Sequence, residues 1–399
     1  MMLVIVLVMW FAATGVLIFL QARQGILASF REPVLRRPVL IVESDDWGAG
    51  AAGQAEALQD IARLLGTFND IDGHHPVMTL GVVLATADGE KTLSSGSYHR
   101  VPLSPQTHGA LLDAINHGVD SGVFSVQLHG MEHFWPPALM LACSTDDAVV
   151  DWLRDAPHSR TEDLPSPLQS RWVDASSLPA RRLAREAVRK AVREEVGAFR
   201  DVFGCLPFVV VPPTFVWNED VEHAWAANGV GVIVTPGARY ESRAVDGRPA
   251  GRGGLLYNGQ TAVSKVIYLV RDVYFEPLFG HTGAQALAAL ADKTGLGRPA
   301  LFETHRFNFL GTDQERSRSL KELKRLLQLA VDRFPELAFL SSGELAEILA
   351  RRPPEWVERR WRRRLHVWIS RLARLPRLRK LGWLTGWILP VGLLWRMTA

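Results

Sequence analysis

Short apolar runs alternate with amphipathic stretches along the middle of the chain, between residues 38 and 350. The apolar runs are rich in β-branched residues, which is typical of strands that are buried on both faces. They predict eight strands, at 38–43, 77–84, 123–128, 207–211, 230–234, 265–270, 299–304 and 337–341. The stretches between them carry apolar residues at helical spacing and predict helices at 54–65, 105–117, 179–203, 219–228, 284–294, 314–333 and 343–350.

Strands that alternate with helices form βα units and a largely parallel sheet. Seven or eight such units within residues 35–350 favour an α/β barrel, which is irregular or incomplete, over an open sheet. Residues 144–178, which are rich in Pro, Ser and Asp, interrupt the alternation and are expected to form a long insertion.

The N-terminal segment is the most apolar part of the chain. Residues 2–20 contain no charge and are long enough to cross a bilayer as a helix, so that residues 1–22 are expected to form a transmembrane anchor. A cleaved signal peptide is the alternative, but no Lys or Arg precedes the run and no clear cleavage site closes it. Four arginines follow the run within residues 23–37, which predicts that the next domain faces the cytoplasm from a bacterial-type inner membrane.

The net charge of +3 conceals a strongly basic segment near the other end. Residues 351–380 carry twelve Arg and Lys side chains against two glutamates, with tryptophans between them, as in an interfacial amphipathic helix. Residues 381–395 are uncharged, short for a span and interrupted by Pro390. Residues 351–399 are therefore expected to be a membrane-associated tail. A patch for nucleic acid is the alternative, but Trp-rich sequence that ends in an apolar run suits a membrane better.

Titratable side chains follow three of the predicted strands. Asp45 and Asp46 follow the first strand, His129 and His133 follow the third, and His305 follows the seventh. In (β/α) barrels the residues that carry chemistry gather where strands end and loops begin. We therefore expect these five side chains to meet at one end of the barrel.

The spacing of the two histidines suits a metal site. His129 and His133 are four residues apart, so that one helical turn would place both imidazoles on the same side. Two nitrogens and one carboxylate oxygen hold a catalytic metal with one position open for water. One of the two aspartates would supply the oxygen and the other would be free to act as a base. Zn²⁺ is the expected ion for such a set, with Co²⁺, Ni²⁺ and Mn²⁺ as alternatives.

In this order, the Asp-Asp pair, the His-x-x-x-His motif and the late His resemble the polysaccharide deacetylase superfamily (carbohydrate esterase family 4), over roughly residues 38–345. The resemblance implies an irregular (β/α)7-type barrel. It also implies a role for each residue: Asp45 is the general base, His305 the general acid, and the metal ligands are Asp46, His129 and His133.

The chain departs from the motifs of that superfamily at several positions. Gly130 stands where the His motif usually has Ser or Thr, and the loop "VVVPPTFVWNED" has no arginine to steady the base. Arg271 or Arg306 is expected to take that task, and Asp272 or Glu276 to orient His305. These departures indicate a divergent member, and the apolar N-terminal segment would anchor it in a membrane.

Aromatic residues near these motifs are candidates for the walls of a sugar site. They are Trp135, Phe215 and Trp217. Ordinary core packing is the alternative and is at least as good an interpretation for Phe215.

These features predict a metal-dependent carbohydrate N-deacetylase. Its substrate would be an N-acetyl or N-formyl amino sugar of a cell-envelope polysaccharide or of a lipid-linked glycan. Both termini would contact the membrane, and no nucleic acid partner is expected. Another C–N hydrolase on the same fold and a non-catalytic, membrane-tethered glycan-binding module are the alternatives. A retaining glycosidase is excluded, because adjacent Asp45 and Asp46 cannot flank a glycosidic bond.

Overall fold

The structure, a computed structural model, describes residues 1–156 and 160–398. Its strands in that part of the chain are β1 (Val39–Gly48), β2 (Met78–Val83), β3 (Ala85–Ala87), β4 (Arg100–Pro102), β5 (Phe124–Leu128), β6 (Val173–Asp174), β7 (Arg181–Arg182), β8 (Val209–Val210), β9 (Val232–Thr235), β10 (Ser242–Arg243), β11 (Pro249–Ala250), β12 (Gln260–Thr261), β13 (Ile267–Val270), β14 (Val273–Tyr274), β15 (Ala300–His305) and β16 (Ala338–Phe339).

The α-helices of the same residues are α1 (Met2–Arg31), α2 (Gln54–Leu65), α3 (Gly89–Ser95), α4 (Pro105–Asp120), α5 (Pro136–Ala142), α6 (Asp147–Arg154), α7 (Arg185–Phe203), α8 (Glu219–Ala227), α9 (Gly283–Gly295), α10 (Phe307–Leu310), α11 (Asp313–Arg333), α12 (Ser342–Arg351), α13 (Trp361–Ala373), α14 (Pro376–Thr385) and α15 (Ile388–Thr398).

Seven parallel strands form the frame of the molecule, in the order β13-β9-β8-β5-β2-β1-β15. Strand β14 pairs in parallel with β15 and follows β13 after only two residues, so that the chain itself joins the two ends of the curled sheet. Strand β12 adds an antiparallel edge to β13, and β16 pairs with the start of β1. The predicted α/β fold, an irregular barrel of about seven parallel strands, is confirmed.

Each of the eight predicted strands is present, because a strand buried on both faces must be apolar along its whole length. All ten residues of β1 are buried, for example. The predicted helix at 179–203 is too long at its start: residues 181–182 pair as β7 with β6, and α7 begins at Arg185. The insertion predicted at 144–178 contains α6 and β6, and its residues 157–159 lie outside the described residues.

Helix α1 is, among the described residues, the one helix long and apolar enough to cross a membrane, and a signal sequence would fit the same description. It runs to Arg31, beyond the predicted limit of the anchor. The C-terminal helices pack on it: Trp387 meets Phe11 edge-on at 5.4 Å between ring centroids and donates to Thr14 Oγ1 at 3.1 Å.

Arg371 of α13 joins the two ends of the chain to the barrel. Its guanidinium is buried and donates to five backbone carbonyls, which belong to Ser29, Glu32, Pro33, Leu296 and Gly297. The first three lie at the end of α1 and the other two directly follow α9, where helix carbonyls lack partners and attract a cation. All of them precede β1 or β15, so that this contact lies at the N-terminal ends of the barrel strands.

Candidate metal centre

A β-bulge lets two successive aspartates face the same way. Side chains normally alternate between the faces of a strand. The pairing of β1 with β2 shifts register between Ser44 and Trp47, and Asp46 has a φ of 72°. Such a bulge breaks the alternation at a local cost in backbone strain, so that Asp45 and Asp46 both reach the carboxyl end of the barrel.

The two histidines are brought together by an irregular loop rather than by the expected helical turn. Residues 129–134 are non-helical, and Gly130 has a φ of 103°. A Cβ on Gly130 would lie 2.8 Å from the carbonyl oxygen of Glu132. The Ser or Thr usual in the superfamily motif would therefore be strained here.

Three potential ligand atoms converge at this end of the barrel. The Nε2 atoms of His129 and His133 lie 3.4 and 3.6 Å from Asp46 Oδ1, and all three atoms lie within 4.8 Å of one another. His129 Nδ1 lies 2.9 Å from the carbonyl oxygen of Val211. A carbonyl only accepts, so Nδ1 carries the proton and the lone pair of Nε2 faces the carboxylate.

The donor set fits a divalent cation. Asp46 Oδ1 is buried and has no hydrogen-bond partner among the described residues. Two imidazole nitrogens and a carboxylate oxygen are the ligands typical of a catalytic zinc site with an open position. A buried carboxylate oxygen that faces lone pairs needs a proton or a cation between them.

Electrostatics keep this set ready for a cation. Burial lowers the pKa of His133 to about 4, even though Asp46 opposes the shift, and the imidazole is neutral as a ligand must be. Burial disfavours the Asp46 carboxylate, but His133 and His129 hold its pKa well below the ordinary value. Burial also opposes protonation of His129, yet Asp45 and Asp46 raise its pKa overall.

Arg271 is the arginine that holds Asp45. Its Nη2 lies 2.6 Å from Asp45 Oδ2, and the same buried guanidinium reaches Glu43 Oε2 at 3.0 Å and Glu303 Oε2 at 3.2 Å. Asp45 Oδ1 has no hydrogen-bond partner among the described residues and lies against Gly81. Burial opposes ionisation of Asp45, but Arg271 lowers its pKa overall, so that it is a carboxylate at neutral pH.

Arg306 contacts Asp45 through its backbone rather than its side chain. Its N–H donates to the carbonyl oxygen of Asp45 at 3.0 Å. The side chain is buried, and its Nη1 has no partner among the residues that the structure describes. Of the two arginines expected to steady the base, only Arg271 contacts the carboxylate.

Glu276 orients His305. Its Oε1 lies 2.6 Å from His305 Nδ1, and its Oε2 accepts a hydrogen bond from Asn308. Burial opposes protonation of His305, but this hydrogen bond and the nearby aspartates raise its pKa to about 10. Asp272, the other candidate, lies at the surface and binds Lys293 Nζ at 2.5 Å instead.

The three aromatic candidates occupy different environments. Trp135 and Phe215 are half-buried, and Phe215 lies under the Arg271 guanidinium, 5.2 Å from it. Trp217 is fully buried in the core and approaches Glu222 Oε2 at 3.5 Å. The expectation that Trp217 forms a wall of the sugar site is therefore corrected, because its ring has no surface left for a ligand.

Buried glutamates that the sequence interpretation did not assign support the site. Glu43 and Glu303 contact Arg271 from inside apolar strands, two residues before Asp45 and His305. That spacing places them on the same side of their strands as the catalytic candidates. The sequence alone could therefore have indicated that Glu43 and Glu303 face the site.

A second buried network lies under the His-motif loop. Arg171 binds Glu132 Oε2 at 2.6 Å and Glu195 Oε2 at 3.0 Å, and the same Glu195 oxygen accepts the N–H of Met131 at 3.2 Å. The loop between His129 and His133 is thus fixed from below by charged hydrogen bonds.

Comparison with known proteins gives structural matches alone. No protein-family model matches the chain, and no curated protein matches its sequence. A Mycobacterium smegmatis protein described as a polysaccharide deacetylase matches with 12% identity and a TM-score of 0.42, over 80% of this chain and 94% of its own.

Two further structures match at similar levels. A family 4 acetyl xylan esterase from Clostridium thermocellum, solved with cobalt, matches with 13% identity and a TM-score of 0.36, over 78% of this chain and 91% of its own. The peptidoglycan deacetylase PdaC from Bacillus subtilis matches with 9% identity and a TM-score of 0.36, over 82% and 96%.

Proposed function

We propose that this chain is a metal-dependent hydrolase of the polysaccharide deacetylase kind, which removes an N-acetyl or N-formyl group from an amino sugar at a membrane. The observation that carries the proposal is the convergence of Asp46 Oδ1 with the Nε2 atoms of His129 and His133, within 4.8 Å of one another and beside a second carboxylate. Three ligands with an adjacent base suit the hydrolysis of an amide.

The metal would be held by Asp46, His129 and His133. A divalent cation bound by such a set lowers the pKa of its water from 15.7 toward about 7 and polarises a carbonyl oxygen. Zn²⁺ suits the two imidazoles and the carboxylate best, and Co²⁺, Ni²⁺ and Mn²⁺ are compatible.

Asp45 would act as the general base. Arg271 holds Oδ2 at 2.6 Å and fixes the rotamer, while Oδ1 is buried and has no partner among the described residues. That oxygen is free to accept a proton from the attacking water. The lowered pKa of Asp45 keeps it ionised at neutral pH.

His305 would act as the general acid. Its Nδ1 is engaged by Glu276, which leaves Nε2, 3.9 Å from Glu303 Oε1, as the ring nitrogen that would act. With a pKa of about 10 the imidazole is protonated at neutral pH, so that Nε2–H can donate its proton to the departing amine.

Half-buried Trp135 and Phe215 offer apolar faces on which a sugar ring would pack. The substrate would be an amino sugar of a cell-envelope polysaccharide or of a lipid-linked glycan. The apolar helix α1 and the basic tail would keep the barrel at the membrane, on the cytoplasmic side if the arginines after α1 set the orientation.

Metal content and hydrolysis, measured together on the full chain in detergent, test the proposal. We expect about one zinc per chain in the wild type and release of acetate from chitopentaose. Asp45→Asn should keep the zinc and lower kcat by about 10²–10⁴-fold, whereas His129→Ala and His133→Ala should lose the zinc.

His74→Ala is the matched control. His74 is exposed and lies beside buried Asp70 and exposed Asp72, away from the proposed ligands, and its loss should leave the zinc content unchanged. Zinc content that is indifferent to His129 and His133 would overturn the proposed centre. Binding of chitopentaose without turnover in the zinc-loaded wild type would favour the glycan-binding alternative.

Protease treatment tests the side of the membrane. In intact spheroplasts the barrel should resist external protease, and in inverted vesicles it should be digested. The reverse result would place the barrel outside and favour an external polysaccharide.

A further inference from the structure

A buried carboxylate from the insertion, close enough to the candidate metal centre to feel its charges, has no hydrogen-bond partner among the described residues. Glu162 belongs to a 3-10 turn, Thr161–Asp163, between α6 and β6. Both of its carboxylate oxygens are buried, and neither has a hydrogen-bond partner among the described residues. A buried carboxylate with no donor is costly and rare, and it requires an explanation.

The surroundings of this carboxylate belong to the site. The charged side chains that act on it are Asp46, Arg306 and His305. Arg306 is also buried, and its Nη1 is a donor without a hydrogen-bond partner among the described residues. No ion pair joins Arg306 to Glu162 among the described residues. The two acceptor oxygens of Glu162 and the Nη1 donor of Arg306 therefore both lack a partner there.

The turn is held firmly. Gln169 Nε2 donates to the carbonyl oxygens of Leu164 at 2.7 Å and of Glu162 at 3.4 Å. Leu164 is buried in a small apolar cluster that includes Phe134, the residue directly after His133. The insertion is thus packed against the His-motif loop, and the turn that carries Glu162 is held next to that loop.

Glu162 is not grouped with the metal ligands, since the set of close ligand atoms consists of Asp46, His129 and His133. The missing partners of its carboxylate are hydrogen-bond donors. Sugar hydroxyl groups are donors to a carboxylate and acceptors from a guanidinium, and they satisfy both kinds of group at once.

We propose that Glu162 and Arg306 form a hydroxyl-binding subsite, in which Glu162 accepts from hydroxyl groups of the acylated sugar and Arg306 donates to them. The inference rests on the proposed function and adds to it a specificity residue outside the motif set. It predicts that Glu162 is needed for the sugar and not for the acyl group.

Two substrates separate those requirements. Chitopentaose carries hydroxyl groups, whereas 4-nitrophenyl acetate offers only an acyl group. In the zinc-loaded full chain, Glu162→Gln should raise KM for chitopentaose by about tenfold or more, since a buried hydrogen bond to a charged group is lost. Its kcat for chitopentaose, its KM for 4-nitrophenyl acetate and its zinc content should stay within about twofold of the wild type.

Asp163→Asn is the matched control from the same turn, because Asp163 is exposed and, in the described part of the chain, forms its ion pair with exposed Arg160. It should leave both KM values unchanged. Glu162→Asp, which keeps the charge but withdraws it by one methylene, should fall between Glu162→Gln and the wild type. Thermal unfolding of each variant reports whether the fold is kept.

The possible results separate the two proposals. An unchanged KM for chitopentaose in Glu162→Gln, a loss of zinc, or an equal effect on both substrates would overturn the subsite alone. A wild type that binds no zinc or releases no acetate from chitopentaose would count against the proposed function and the subsite together.

Discussion

Asp45 lies directly opposite His305 in the parallel register of β1 and β15. One layer deeper, Glu43 lies opposite Glu303, and the guanidinium of Arg271 reaches both glutamates and Asp45. The proposed base and acid are thus fixed by strand pairing rather than by mobile loops. Rigid elements of this kind hold reacting groups to the small tolerances that catalysis requires.

Glu276 controls the alkaline limb of the pH profile. His305 is protonated below its pKa of about 10, so that its acid function is present at neutral pH and lost as the pH rises through that value. Glu276→Gln removes the main partner and should move the alkaline limb of kcat down by more than about one pH unit. Asp272→Asn, at the surface, is the control. If the alkaline limb of kcat stays at the wild-type pH in Glu276→Gln, His305 is not the general acid.

Gly81 makes room for the base. A Cβ at this position would clash with Asp45 Oδ1 and would lie 3.2 Å from Asp45 Cγ. Gly81→Ala should displace the carboxylate and lower kcat by about 10²-fold, the effect typical of a misplaced catalytic group. Gly109→Ala is the control, since nothing lies within 4 Å of its built Cβ. Wild-type kcat in Gly81→Ala would contradict the role of Asp45.

Arg171 stabilises the support of the His-motif loop. Arg171→Met would leave the carboxylates of Glu132 and Glu195 buried with one cation fewer. The free energy of unfolding in urea should fall by about 3–5 kcal/mol. Arg181→Met removes an exposed ion pair with Asp174 and should cost less than about 1 kcal/mol. Equal losses of unfolding free energy in the two variants would contradict a larger stabilising contribution from the buried network.

Arg371 holds the tail. Arg371→Gln replaces five N–H donors with two and should release the helices that follow it from α1 and the barrel. Proteinase K should then remove a C-terminal epitope tag faster than in the wild type. Arg374→Gln, an exposed arginine of the same chain segment that pairs with Asp292, is the control. Equal cleavage rates in both variants would contradict a fixing role for Arg371.

The sequence predicted the barrel and the meeting of the motifs well, because both depend on patterns that packing enforces. Buried parallel strands must be apolar, and polar residues at their carboxyl ends must meet, which brought Asp46 to His129 and His133. The helical turn assumed for those histidines was wrong, since Gly130 adopts a φ of 103° that spacing alone does not reveal.

Other features depend on three-dimensional packing that local sequence does not encode. The bulge at Asp46 arises from the pairing of β1 with β2. Trp217 looked like a site residue beside Phe215, but the core encloses it. Glu162 lies in a stretch with no periodic pattern, and only tertiary contacts bring it to the centre.

The position of the Arg371 contact bears on the distance between a membrane and the candidate centre. It ties α1 and the C-terminal helices beneath the barrel, at the start of the strands, while Asp45 stands at their far ends. The six residue steps from Val39 to Asp45 span about 20 Å at 3.3 Å each. If α1 enters a bilayer along the direction of the strands, the candidate centre would stand about that far above the lipid surface. A glycan several sugars long would cover this height more readily than one sugar attached directly to a lipid phosphate.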